Sequence, residues 1–227
     1  MNDWHPGSTP RRLGIYGGTF DPLHHGHLIA ATEVRAVLGL DAVVFMPAGQ
    51  PPHKRDLAIT PAYQRVRMIE LAIAGHPGLA LSTLDLAPDR PAYTAELLAR
   101  LRDVWGADHE LFFVLGADAL RDFPGWHAPE RVAALARLAV VARPGVAMDL
   151  AAIARAVPAT AGRLHAVAIP LIDIASHDLR ARVAAARPIT FQVPAAVEAY
   201  IAAEGLYRED EHRSGAGTQN KGEREGR

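Results

Sequence analysis

Short, uninterrupted apolar runs recur along this chain, and most are separated by a stretch with helical periodicity. Residues 13–16, 42–46, 79–84, 110–115, 138–141 and 164–169 read as strands. Residues 27–38, 63–74, 95–105, 147–157, 178–186 and 195–204 read as helices. A strand with no polar alternation is buried on both faces, and strands joined through helices run parallel. The pattern therefore predicts an α/β, Rossmann-like, doubly wound parallel sheet in a single domain. In such a sheet ligands bind beyond the carboxyl ends of the strands, where the strand order reverses. The residues that follow Tyr16, Met46, Leu84 and Leu115 are the places to look for chemistry.

Composition narrows the class of function. The 227 residues are enough for a core of this type, and 49% of them are hydrophobic. Lysine plus arginine number 24 against 25 aspartate plus glutamate, a net charge of −1, so the basic excess of a nucleic-acid-binding protein is missing. There is no cysteine, which excludes disulfides, thiolate metal sites and a cysteine nucleophile and fits a cytoplasmic location. No run is long and apolar enough to span a bilayer, and the N-terminus lacks the apolar core of a secretory signal. Residues 1–11 are polar and proline-rich, and residues 208–227 are almost free of apolar side chains. The expectation is a flexible N-terminal extension over 1–11, one α/β domain over 12–207 and a disordered tail over 208–227. A monomer and a homo-oligomer are both open.

The first expected strand runs into Gly17-Gly18-Thr19-Phe20-Asp21-Pro22-Leu23-His24-His25-Gly26-His27. Two glycines let the backbone turn and approach a ligand closely. The helix that follows points its unsatisfied N–H groups and positive end at the same spot. Together they form a cradle for an anion. His24 and His27, three apart at a helix start, share one side and present imidazole N–H donors. The run is neither a Walker A loop nor a Gly-x-Gly-x-x-Gly fingerprint. A zinc site built from His24, His25, His27 and His53 is the rival reading of the same residues, without a carboxylate partner.

This segment resembles the signature of the His-x-Gly-His nucleotidyltransferase superfamily. Its Gly-Gly-Thr-Phe-Asp-Pro start is similar to the nicotinate mononucleotide adenylyltransferase branch. The resemblance extends over residues 13–207 through five further segments, the last of which, Val193-Pro194 to Gly205-Leu206-Tyr207, is similar to the family's C-terminal helix and its end and reads as packing. Pro51-Pro52-His53-Lys54 is similar to a family loop over the active site, with Lys54 a point charge for phosphate. Tyr93-Thr94 is similar to the segment that holds the nicotinate carboxylate; on its own, Thr94 reads as a helix N-cap. Gly116-Ala117-Asp118 with Trp126 is similar to an adenylyltransferase pattern in which the aspartate meets ribose and the tryptophan stacks on the pyridine ring. Ile174-Ala175-Ser176-His177-Asp178-Leu179-Arg180 is similar to the family's second phosphate segment. Ala175 and His177 depart from it, each replacing a hydroxyl residue.

The resemblance implies transfer of the adenylyl group of ATP to nicotinic acid mononucleotide. It makes His24, His27 and Arg180 the catalytic residues. Gly17, Gly18, Thr19, Phe20, Gly26, Gly116, Asp118, Ile174 and Ser176 would bind ATP. Lys54, Tyr93, Thr94 and Trp126 would bind the acceptor. Mg²⁺ would come with ATP, with no metal site of the protein's own. The partners are the two small substrates, without nucleic acid or membrane. Another phosphorylated acceptor (nicotinamide mononucleotide or phosphopantetheine) and a nucleotide-binding regulator without catalysis are the alternatives on the same fold.

Overall fold

The structure is a computed structural model that describes residues 3–9, 11–49, 59–86, 93–142, 148–170 and 172–208. The expected apolar runs become six parallel strands: β1 (Arg12–Gly18), β2 (Ala42–Pro47), β3 (Leu79–Leu81), β4 (Glu110–Gly116), β5 (Arg137–Ala142) and β6 (Leu164–Ala168). They lie in the order β3-β2-β1-β4-β5-β6, with every neighbouring pair parallel. This is the Rossmann order, and it reverses between β1 and β4.

Strand periodicity sends alternate side chains to opposite faces, and each face is covered by its own helices. Val44 and Met46 of β2, with Leu111 and Phe113 of β4, pack on the face of α3 (Thr94–Trp105), using Leu98 and Leu101. The intervening Val43, Phe45, Phe112 and Val114 pack on the other face. There they meet α1 (His25–Leu38) through Ala31 and Val34, and α2 (Ala62–Ile73) through Met68 and Ile69. Phe45 and Phe112 are wholly buried, and burying one such side chain stabilises the fold by roughly 2 kcal/mol. At the amino ends of the strands Glu110 bridges Arg12 at 2.9 Å and Arg137 at 2.6 Å, joining β1, β4 and β5.

Four short elements complete the chain: α4 (Ala117–Asp122), α5 (Pro129–Leu135), α6 (Leu150–Ala156) and α7 (Ser176–Ala184), followed by α8 (Ala195–Ala203). The sequence reading leaves 116–137 without a helix. Helices α4 and α5 are six and seven residues long, too short for a 3.6-residue period to register. Strand β3 ends at Leu81 rather than Leu84: the Ser82 N–H makes the last bond to β2, at the Phe45 carbonyl, and the chain then turns, with the Leu86 N–H on the Thr83 carbonyl. Thr94 is the first helical residue of α3 and not its cap; Tyr93 takes the cap position without a side-chain hydrogen bond.

The N-terminus also differs from the expected flexible extension. The Asp3 carboxylate accepts hydrogen bonds from Ser82 Oγ at 2.9 Å and the Thr83 N–H at 2.6 Å. Trp4 packs edge-on against Trp105, with ring centroids 5.6 Å apart. A polar, proline-rich composition hides these two anchors: Ser82 is fully buried and gains an acceptor, and Trp4 buries a large apolar surface. Residues 209–227, nearly all of the expected tail, lie outside the described residues. Trp4→Ala should therefore lower stability by about 2 kcal/mol, read as an earlier urea midpoint. An unchanged midpoint would show that this segment adds nothing in solution.

Candidate active site

Where the strand order reverses, the connections from β1 and β4 leave on opposite faces and a cleft opens between them. Its volume is about 310 Å³. Tyr16, His24, Gly26, His27, Gly116 and Ser176 line it, and Val141, Ile169, Pro170, Ile172 and Ile174 add an apolar wall.

The loop after β1 is set by its aromatic residue. Phe20 adopts φ 51°, left-handed for a residue with a Cβ, at a cost of about 1–3 kcal/mol. Its ring is buried against Tyr16, Phe45 and His27, with centroids 5.5, 5.4 and 5.0 Å away, which offsets that cost. A Cβ on Gly18 would lie 2.9 Å from Phe20 Cζ. The two glycines therefore do not make the turn, as the sequence suggests. Both lie in β1, in register with Met46 and Pro47, and Gly18 makes room for the Phe20 ring. The left-handed turn itself falls on Phe20.

His24 caps α1 in extended backbone geometry, and its ring stacks on His27, with centroids 3.7 Å apart and 24° between planes. Gly26 permits this stack, since a Cβ there would meet His24 Nδ1 at 3.0 Å. The His24 N–H donates to His27 Nδ1 at 3.3 Å. In the neutral ring the proton of His27 is then on Nε2, which makes that atom a donor.

Helix α7 starts on the same cleft and is fastened to the same loop. Ser176 Oγ donates to the Pro22 carbonyl at 3.0 Å, and Arg180 Nη1 donates to the Asp21 carbonyl at 2.7 Å. Ala175 takes the cap position, so the missing hydroxyl there costs α7 a side-chain cap. His177 faces solvent, with Nε2 3.2 Å from Asp178 Oδ1, and lies outside the cleft lining.

Beneath the loop, Arg65 is 2% exposed and donates to the carbonyls of Thr60 at 2.9 Å, Thr19 at 2.8 Å and Gly49 at 3.4 Å. Burial lowers its pKa from the ordinary arginine value, and the nearby Asp21 opposes that shift; the guanidinium stays charged. Sequence reasoning missed this residue, although a signal was available. Arg65 stands with Met68, Ile69 and Ala72 on the buried stripe of α2, at the spacing of an apolar face. Tyr16, at the end of β1, was also missed, and Tyr207, read from the sequence as packing alone, donates its hydroxyl to Asp21 Oδ1 at 2.6 Å.

The cleft thus brings together His24, His27, Gly26, Gly116, Ile174 and Ser176 from the expected set. Other expected residues lie elsewhere. Trp126 packs edge-on against Phe113 and Phe123, on the α3 side of the sheet. Tyr93 stacks on His127, with centroids 4.3 Å apart. Asp118 is exposed and paired with Arg121 at 2.9 Å. Lys54 and His53 lie outside the described residues. Among the described residues no group of three or more histidines and carboxylates is placed to hold a metal, and no helix is long and apolar enough to cross a membrane.

The cytidylyltransferase-like family model matches residues 15–182. A probable nicotinate-nucleotide adenylyltransferase of Thermomicrobium roseum is 51% identical over 197 residues, covering 87% of this chain and 92% of the relative. The chain belongs to the nicotinate-nucleotide adenylyltransferase family. Its relative from Roseiflexus sp., named in the same way, is 47% identical and covers 86% of this chain and 98% of that one. Among solved structures, the nicotinic acid mononucleotide adenylyltransferase of Plasmodium falciparum complexed with NaAD has a TM-score of 0.71. It covers 87% of this chain and 97% of its own at 19% identity, a likeness of fold.

In this family member the loops after β2 and β3 are joined where the Gly49 N–H donates to the Asp85 carbonyl at 3.1 Å. Burial pushes the Asp85 carboxyl up to about 7, against the pull of Arg100. The folded chain therefore holds a proton that an unfolded aspartate releases near pH ~4. Its stability falls as pH rises from that value to about 7, and the loss levels off above. Asp85→Asn removes the titration. Relative to wild type, the variant should gain stability between about pH 5 and about pH 8 in denaturant melts. A difference that is the same at both pH values would reject the assignment.

Proposed function

We propose that this chain transfers the adenylyl group of ATP to nicotinic acid mononucleotide, giving nicotinic acid adenine dinucleotide and pyrophosphate. The observation that carries the reading is the convergence of two helix starts and the stacked His24–His27 pair on one cleft, in a chain 51% identical to a nicotinate-nucleotide adenylyltransferase.

The phosphate of the mononucleotide attacks the α-phosphorus of ATP in line, and the bond from that phosphorus to the β-bridging oxygen breaks. The attacking group has its second pKa near ~6, so it is ionised at neutral pH and needs no general base. The protein aligns two anions, screens their repulsion and stabilises charge on the leaving pyrophosphate. Backbone N–H groups at Gly17, Gly18 and the start of α1 receive phosphate oxygens. His24 and His27 meet the α- and β-phosphates, and Arg180 and Ser176 meet the β- and γ-phosphates. Arg180 has five donors in its planar fork, so one can stay on the Asp21 carbonyl while others grip phosphate. Ser176 gives its hydroxyl hydrogen to the Pro22 carbonyl and offers its backbone N–H, at the first position of α7, to the ligand.

In this reading Thr19 and Phe20 shape the ATP loop, and Ile174 and Asp118 take the nucleoside side. Lys54, Tyr93, Thr94 and Trp126 receive the acceptor. A carboxylate suits free N–H groups at the start of α3, where an amide NH₂ would leave donors unpaired. The cleft lining presents imidazoles, the hydroxyls of Tyr16 and Ser176 and backbone groups, a donor set for phosphate oxygens. In this reading Mg²⁺ enters as part of the ATP substrate, held by phosphate oxygens and water. The reaction is placed in the cytoplasm, with its ATP supply.

The direct test is pyrophosphate release from Mg-ATP with nicotinic acid mononucleotide, nicotinamide mononucleotide or phosphopantetheine in parallel. Release with the first acceptor alone is expected, and release only with another would move the specificity. His27→Ala should lower kcat by about a hundred-fold while KM for ATP stays within a few-fold. A kcat near wild type would end the transition-state role of His27.

A further inference from the structure

We infer that Tyr207 is a positioning residue for this reaction: its hydroxyl, bonded to the Asp21 carboxylate, holds the loop that presents His24 and His27 to the phosphates. The inference rests on the adenylyl-transfer reading and adds to it a role for the end of the fold.

Asp21 does not line the cleft. It is 4% exposed, three residues before His24, and both its carboxylate oxygens and its carbonyl act as acceptors. Oδ1 takes the Tyr207 hydroxyl at 2.6 Å, Oδ2 takes the Thr60 N–H at 3.2 Å, and the carbonyl takes Arg180 Nη1 at 2.7 Å. The next carbonyl, of Pro22, takes Ser176 Oγ. One two-residue segment thus fixes the spacing between the imidazole pair, Arg180 and the start of α7. Its side chain is anchored from below by Tyr207, so motion at that bond reaches all three groups.

The anchor itself is held at a cost. Tyr207 follows α8 with φ 65°, a left-handed backbone that a residue with a Cβ rarely adopts. Such a conformation persists where surrounding contacts over-determine it, and here the hydroxyl reaches into the interior, 3.9 Å from Met68 Sδ. Burial first, and then the Asp21 charge, push the phenol far above its ordinary pKa, so the group remains a donor across the working range of pH. Simple packing of the ring would need neither the hydroxyl nor its alignment with Oδ1.

Tyr207→Phe keeps the ring and removes only the donor. In the pyrophosphate-release assay on the full chain, kcat should fall about ten-fold, the worth of one hydrogen bond to a charged group. KM for ATP and for nicotinic acid mononucleotide should each stay within about two-fold. Asp21→Asn, which keeps the side-chain shape, should produce a similar kcat loss and serves as the test if the first variant does not fold. The double variant should be little worse than either single one, since Tyr207→Phe removes this bond and Asp21→Asn takes away the charge that strengthens it. Tyr200→Phe, on α8 and outside the site, should leave kcat unchanged. Thermal melts of each variant separate folding from function. A Tyr207→Phe enzyme with a lowered Tm and wild-type kcat, or kcat losses that add fully in the double variant, would overturn the positioning role. A wild type that is folded but releases no pyrophosphate with this acceptor would overturn the reaction, and the role with it.

Discussion

The molecule depends on a topological constraint. A parallel sheet covered on both faces must send its connections to opposite sides of the central pair of strands, and a gap remains where they part. Here that gap lies beyond β1 and β4, and Tyr16 of β1 and Gly116 of β4 line it. Everything that handles the ligand is hung from this point. The β1 loop enters α1 directly, and α7 is fastened to the same loop by Ser176 and Arg180. The two helix starts therefore aim at one volume without touching each other through side-chain packing alone.

The electrostatics of the cleft follow from this arrangement. A chain of net charge −1 has no general field to draw in a polyphosphate. In the proposed reaction the attraction is local, from helix ends, the His24–His27 pair and Arg180. Arg65, also beside the loop, points inward. It joins the carbonyls of Thr19, Gly49 and Thr60, three separate loop positions, and lies close to the Asp21 charge. A buried cation with several carbonyl partners stiffens a loop that has little regular structure of its own.

Much of this was legible in the sequence, for reasons that can be named. The strands show as unbroken apolar runs because both faces are buried, and His24, Gly26, His27 and Ser176 line one cleft because they sit where the chain enters α1 and α7. The cost of local reading shows in the same loop. Gly17 and Gly18 look like turn residues, yet they lie in extended backbone and Phe20 takes the positive φ, since the deciding contact is with Phe45, 25 residues away by the numbering. Arg65 was passed over although it stands on an apolar stripe, and Tyr207 was read as packing because its partner is remote: Tyr207 and Asp21 are 186 residues apart in the chain. Trp4 and Asp3 were read as part of a free end because a short polar segment carries no periodicity, and their partners Trp105 and Ser82 are also remote in sequence. Lys54 and its neighbours lie outside the described residues.

The bond between Tyr207 and Asp21 also has a consequence for the order in which the protein is made. Asp21 lies in the loop between β1 and α1, and its partner is translated only after β6. Strand β1 must likewise wait for β4, whose Glu110 meets Arg12 across 98 positions. A growing chain can bury parts of the β1–β2 face early and can fasten the loop through Thr60 and Arg65, but the Tyr207, Ser176 and Arg180 bonds form only after β6. Completion of the site thus follows the last strand, and a translation product interrupted before it carries the histidines without the geometry that makes them useful.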